Sequence, residues 1–274
     1  MTSIVLLVAI SASEPVCPAD TTKKSITLSD KSVTSTCNDS TGVPHGPLWN
    51  TRGNGRLRWI ERYRRGRPHG TWVKFARNGG LIERRDFNDG VMGGTWERFY
   101  DDGKPRLSGS FVDGRKNGEF KGWHRSGKVA FQARFVDGRA DGDWLLFARS
   151  GALQARCRYE KGVEKKRELF ALERALETSD VLQRLTDMKN SVKFCYDREL
   201  SLRPDLKSQT GRFDFRAVVT PAGLTAEVAL DASTLEDARL QACVADVIEQ
   251  MIFPRLTTCE LVDVALPWLM SPEG

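Results

Sequence analysis

Six cysteines (Cys17, Cys37, Cys157, Cys195, Cys243, Cys259) and three histidines (His45, His69, His124) are the side chains that could ligate a metal or supply a nucleophile. Either chemistry needs such groups to converge, and their spacing gives no convergence. His45 and His69 hold the same place in two Pro-His-Gly triplets, and His124 stands beside Trp123, so all three read as turn or surface residues. No His, Cys and carboxylate spacing of a metal site surrounds them. Gly53-Asn54-Gly55 lacks the Gly-Lys-Ser/Thr that a phosphate-cradling loop requires, so it reads as a hairpin turn. The Asp-Gly pairs each bring one carboxylate where a calcium loop clusters several. These residues predict a non-enzymatic protein with no cofactor, no metal and no small-molecule substrate.

The cysteines then read as structural. The segment 14–45 is rich in Ser, Thr and Lys, and is predicted as a loop clipped by Cys17 and Cys37; a metal site there has no further Cys or His at ligand spacing. Cys157 reads as a small, buried free thiol, and Cys259 has no evident partner.

The glycines are periodic. Gly46, Gly70, Gly94, Gly118 and Gly142 recur every 24 residues, and so do the series beginning at Gly55 and Gly66. Aromatic columns keep the same step: Trp72, Trp96, Phe120, Trp144; Phe75, Phe99, Trp123, Phe147; and Tyr63, Phe87, Phe111, Phe135, Tyr159. Residues 46–165 are thus five copies of one unit. Asn54-Gly55, Asn78-Gly79 and Asp102-Gly103 supply the positive φ of hairpin turns, Asp89-Gly90, Asp113-Gly114 and Asp137-Gly138 supply the second turn, and Val129 to Val136 alternates as a strand. The pattern predicts about ten short antiparallel strands in a meander. Trp96 and Phe99, three apart, fall on opposite faces of a flat strand unless a bulge intervenes. The first-strand aromatics Trp72, Trp96, Trp123, Trp144, Phe75, Phe99 and Phe147 are therefore either the stacking core or an exposed binding row.

Charge is unevenly placed. The chain carries +6 overall, but residues 46–165 hold 26 Lys and Arg against 14 Asp and Glu, a balance of +12, leaving the remainder acidic. An anionic partner such as a lipid surface or a polysaccharide would meet the repeats; a merely solvated face is the plainer reading. The N-terminus, with the apolar run Ile4 to Ile10 before Ser11, Ala12 and Ser13, predicts an export signal over 1–13, which places six cysteines in an oxidising compartment.

The unit G-x-W-x-x-F-x-x-x-G followed by aromatic-x-D-G resembles the MORN repeat, in the bacterial variant associated with toxin–antitoxin components. The first copy departs, with Leu48 and Thr51 in place of aromatics, as a cap would. The resemblance implies a β-hairpin array used for protein scaffolding or attachment to anionic lipid, without catalysis.

After the array the pattern turns helical. Leu169, Leu172, Ala175 and Leu176 predict a connecting helix within 166–180, and Val181, Leu185, Met188, Val192 and Cys195 line one stripe of the next. Two alternating strands follow, Phe213 to Val219 and Leu224 to Leu230. Ser233-x-x-Glu236 reads as a capping box for a helix over Leu240 to Met251, and a last strand ends at Leu269. The fold class is a β-repeat plus α+β: a single-layer antiparallel meander, then a small α-β-β-α-β domain over 181–269. Cys195 and Cys243 lie on the inner faces of helices that pack on one sheet, so in an exported chain they read as a disulfide, with reduced core cysteines the alternative.

This order, with CYDREL at 195–200, TPAGLTAEVAL at 220–230, Cys243 and FPRL at 253–256, resembles the TonB C-terminal domain, nearest to the cysteine-containing variant of gliding-motility proteins. The resemblance implies a periplasmic protein-binding domain that accepts an extended partner at a sheet edge formed by Leu261, Val262, Asp263, Val264, Ala265 and Leu266. The sequence lacks the long Pro-rich spacer of an energy transducer, since its 11 prolines are scattered. Two functions follow as expectations: a cell-envelope scaffold binding an envelope protein, or a basic array binding anionic lipid or polysaccharide. Nucleic acid is not expected as a partner of an exported chain, and an antitoxin-like intracellular protein is the further alternative.

Overall fold

The structure, a computed structural model, describes residues 13–28, 31–170, 178–202, 211–235, 237–249, 251–254, 256 and 259–270. The expected leader lies outside these residues except for Ser13.

One long antiparallel sheet of 16 strands dominates. It opens with β1 (Thr22–Thr27), β2 (Val33–Asn38) and β3 (Pro44–Thr51), and continues through β4 (Leu57–Arg64), the short β5 (Arg67–Pro68), β6 (Gly70–Phe75), β7 (Leu81–Asn88) and β8 (Val91–Phe99). Then come β9 (Pro105–Val112), the short β10 (Arg115–Lys116), β11 (Gly118–Trp123), β12 (Val129–Val136), the short β13 (Arg139–Ala140), β14 (Gly142–Phe147), β15 (Leu153–Glu160) and β16 (Val163–Leu169). Each long strand pairs with its neighbours in sequence, so the sheet is a meander.

Two expectations are corrected at its ends. Residues 14–45 are not simply a loop: Thr22 to Thr27 pairs with Val33 to Asn38, which pairs with β3, so the β-branched Thr and Val residues extend the sheet beyond the first repeat. The helix expected from 166 does not begin there. Val163 to Leu169 is a strand on β15, whose backbone edge would otherwise stand unpaired, and 171–177 lie outside the described residues.

The repeat geometry follows from its turns. Arg65, Asp89, Asp113, Asp137 and Lys161 all have φ between 46° and 52°, and the glycine after each is also left-handed, giving the two-residue turns that match strand twist. The N–H groups of Gly90 and Gly138 then donate to Pro68 and Lys116 of the copy before, so the turns stack into a ladder. The Asn-Gly turns are longer: only the glycine is left-handed, and Asn54 and Asn78 use their side-chain oxygens to accept the N–H two residues on.

The chain divides into two compact units, residues 1–115 with 122–127, and residues 116–121 with 128–274. In the first, Cys37, Trp49, Leu57, Ile60, Val73 and Phe75 form an apolar cluster beside Cys17, which is bonded to Cys37. The second includes a three-stranded sheet with strand order β18-β17-β19. Its elements are α1 (Thr178–Leu202), β17 (Gly211–Val219), β18 (Thr225–Ser233), α2 (Ala238–Glu249) and β19 (Val262–Met270). Alternation along β17 buries Phe213, Phe215, Ala217 and Val219 against Val192, Cys195 and Tyr196 of α1 and Leu240, Val244 and Ile248 of α2. Cys195 is bonded to Cys243. The cap of α2 is not Ser233 but Asp237, whose Oδ1 accepts the N–H of Leu240 at 3.0 Å, while Ser233 Oγ bonds Leu235.

Candidate functional site

The array has two chemically different faces. Trp96 pairs with Gly109 and Gly94 with Phe111, so Trp96 and Phe111 share one face, their rings 5.9 Å apart and both buried. A bulge does fall beside Phe99, yet it lies on the partner strand: Arg98 faces Leu107 and Phe99 faces Pro105, which leaves Arg106 as the extra residue. Trp96 and Phe99 therefore remain on opposite faces.

The first aromatic column is a stacked core. Tyr63, Trp72 and Phe87 follow one another at 5.5 and 4.4 Å. Phe120, Phe135, Trp144 and Tyr159 follow at 5.0, 5.0 and 5.1 Å, mostly edge to face, as ring quadrupoles prefer. The indole N–H groups of Trp72 and Trp144 donate to the carbonyls of Arg62 and Arg134. The second column divides: Phe75 is buried in the N-terminal cluster, whereas Phe99, Trp123 and Phe147 are half-buried on the other face.

Among these rings sits a charged network. Trp59, Glu61, Trp72, Lys74, Glu83 and Arg85 line a small cleft on the first copies. Glu83 accepts the indole N–H of Trp96 at 3.1 Å and lies 3.3 Å from Lys74 Nζ. Arg85 holds its guanidinium 5.5 Å from the rings of both Trp72 and Phe87. Tyr63 donates its hydroxyl to Glu61 at 2.7 Å. Burial alone would favour the neutral acid at Glu83, but Lys74, Arg85, Arg98 and the Trp96 N–H together outweigh it and hold the carboxyl well below the usual carboxylate range. At the positions of Glu61 and Arg85 the later copies carry Gly109, Ala133 and Cys157. The network can fix the rings and hold charge in a dry setting; it contains no nucleophile beside a base.

His45 lies in β3 and His69 between β5 and β6, each beside a turn. His45 and His69 each accept, through Nδ1, the backbone N–H of a left-handed turn residue, Arg65 and Asp89, at 3.4 Å. Among the described residues no three His, Cys, Asp or Glu side chains gather as a metal site.

In the second unit the same aromatic face is occupied. Cys157 stands opposite Trp144 and is bonded to Cys259, which corrects the expectation of a free thiol. Sequence context showed Cys157 only as a small packed residue, and its partner lies 102 residues away. Tyr159 donates its hydroxyl to the carbonyl of Cys259, and burial raises its pKa, with Glu164 adding to the shift. Lys116, almost fully buried, places Nζ 2.5 Å from Glu249 at the end of α2.

The expected partner edge is largely β19. Leu261 precedes the strand, and Val262, Asp263, Val264, Ala265 and Leu266 pair with Val219 to Phe215 of β17. Val264 and Leu266 enter the core, Asp263 and Ala265 are exposed, and among the described residues no strand pairs with the outer side of β19.

No curated protein is matched by the chain. A family model described as the MORN repeat variant matches residues 92–113 and 116–137, which are the copies running from β8 to β12 and which carry the stacked turns and buried ring column. MORN repeats are commonly protein- or membrane-binding modules without catalysis, and the segment 92–137 of this chain is a MORN repeat variant.

Proposed function

We propose that this protein is a non-enzymatic scaffold of the cell envelope, in which a MORN-like array carries a TonB-like C-terminal module that accepts an extended segment of an envelope protein at β19. The observation that carries the reading is the position of β19 at the edge of its sheet, with one long side unpaired among the described residues. Such an edge offers main-chain donors and acceptors to an added strand. Pro267 has no N–H to give, so the segment available for pairing is Val262 to Leu266. The edge rests on a firm base, because Cys195–Cys243 ties α1 to α2 beneath it.

Three disulfides favour an oxidising setting. No helix among the described residues is long and apolar enough to cross a membrane. The intracellular, antitoxin-like alternative needs six reduced thiols, which sits poorly with that pairing.

Photo-crosslinking in cells tests the reading, with a photoreactive residue at Ala265 on the edge and, separately, at Asp231 on β18, two strands away across the sheet. A product from Ala265 alone, in a periplasmic fraction, supports it. Equal products from both positions, or a cytoplasmic chain with free thiols, sink it.

A further inference from the structure

On the first unit the half-buried aromatic column meets one row of turns in a single patch. Phe99 and Trp123 occupy equivalent positions one copy apart and share the face opposite the stacked core. Copies are two strands apart, so this step along the sheet is about 10 Å. Between them Tyr100, half-buried, donates its hydroxyl to the carbonyl of Trp123 at 2.8 Å. Two guanidinium groups sit against its ring, Arg106 at 5.7 Å and Arg125 at 5.5 Å.

Earlier in the array Arg58 and Arg77 stand close to Arg52, whose pKa is lowered first by burial and then by these two charges. Of the carboxylates along this row, Asp102 is engaged with the backbone N–H and the ammonium of Lys104 and also feels the charge of Arg125, and Asp101 is exposed. On the opposite row of turns Asp89 is engaged by Arg64 at 2.6 Å and flanked by His69.

We propose that Phe99, Tyr100, Arg106, Trp123 and Arg125 form a binding site for an acidic polysaccharide, one whose sugars carry carboxylates. A half-exposed ring offers an apolar platform to the flat face of a sugar. A guanidinium held against a neighbouring ring keeps its fork free of conformational disorder for a carboxylate. A membrane surface suits the patch less well, because strands of a sheet rotate by about 20° to 25° each. Successive copies therefore turn away from any plane, while a flexible linear chain can follow them. The oxidising setting indicated by the disulfides makes a polysaccharide a better match than nucleic acid. This site is separate from β19 and does not depend on the strand-acceptor reading.

The test uses the full chain with its disulfides intact. Oligogalacturonate is titrated against it with tryptophan fluorescence as the readout, beside its methyl-esterified, uncharged form and vesicles of phosphatidylglycerol. Arg125→Glu is compared with Arg67→Glu, an exposed charge reversal on the opposite row of turns. We expect oligogalacturonate to bind with an affinity that falls as salt rises. Arg125→Glu should weaken it about tenfold, and Arg67→Glu by less than about threefold. The esterified chain should bind more weakly than the acid. Equal losses in the two variants would reduce the effect to diffuse charge and overturn the proposal, as would absence of binding to the polymer. Vesicle binding that is sensitive to Arg125 while the polymer is ignored would assign the patch to a membrane and overturn it equally.

Discussion

Tyr159 donates its hydroxyl to the carbonyl of Cys259, the residue whose sulfur is bonded to Cys157 two positions earlier on the same strand. Because Trp144 faces Cys157 across β14 and β15, both linkages leave from the aromatic face of the last copy. A repeat array must hide its terminal apolar face or risk association, and here the segment at Cys259 covers that face and is covalently tied to it.

Stability should follow the length of chain each disulfide closes. The separations are 20 residues for Cys17–Cys37, 48 for Cys195–Cys243 and 102 for Cys157–Cys259. Loop-closure entropy then assigns about 3, 4 and 5 kcal/mol respectively. Paired Cys→Ala variants unfolded in guanidinium should lose stability in that order. A loss from Cys157/Cys259 no larger than from Cys17/Cys37 would show that the long link only decorates a contact already made.

Lys116 and Glu249 supply the second tie. Lys116 is 1% exposed, so removing its acid leaves a buried ammonium short of one partner. Glu249→Gln should cost about 1–3 kcal/mol. Lys116→Met with Glu249→Met should cost less than the sum of the single changes, since a buried pair replaced by apolar groups is often near neutral. A double-mutant cycle by urea unfolding gives the coupling directly, and additive costs would mean that the pair contributes no coupling.

The array was legible because its information is local. A 24-residue step repeats glycine where φ must be positive and rings where the next copy must stack, and both demands recur within a few residues of one another. The charged network was half legible. Glu61 and Arg85 break a column of small residues, but that Glu83 serves Trp96 depends on pairing between strands. Least legible was what joins distant segments. Cys157 looked like Gly109 and Ala133 in its column, and only the fold brings Cys259 to it. The helix expected over 166–180 rested on the helical spacing of Leu169, Leu172, Ala175 and Leu176, whereas the open edge of β15 takes Val163 to Leu169 as a strand.

Glycine substitutions separate conformational cost from steric cost. Gly55 has φ +78° and open space around an added Cβ, so Gly55→Ala should cost about 1–2 kcal/mol for backbone strain alone. Gly223 has φ +75°, and its Cβ would stand 2.2 Å from the carbonyl oxygen of Phe253, whose N–H bonds Gly223 in return. Gly223→Ala must push that backbone away, so the cost should exceed about 3 kcal/mol and fall on the C-terminal module. Thermal melts give the magnitudes, and hydrogen exchange should show β17 to β19 losing protection while the array keeps it. Equal costs at the two positions would refute the close approach.

Glu83 should give the protein a specific acid limb. Its folded pKa lies below the unfolded carboxylate value of about 4.3. The stabilisation is therefore fully present above that value and is lost as pH falls below it toward the folded pKa. Glu83→Gln removes the titration and keeps the shape, although it leaves Lys74 and Arg85 without their anion. The cost of the substitution, measured by urea unfolding, should be largest at neutral pH and shrink steadily below about pH 4, where the unfolded wild-type side chain takes up its proton. A cost that stays constant down to pH 3 would mean that the carboxyl is not held ionised by Lys74, Arg85 and Arg98, and that the network on the ring face is maintained by packing alone.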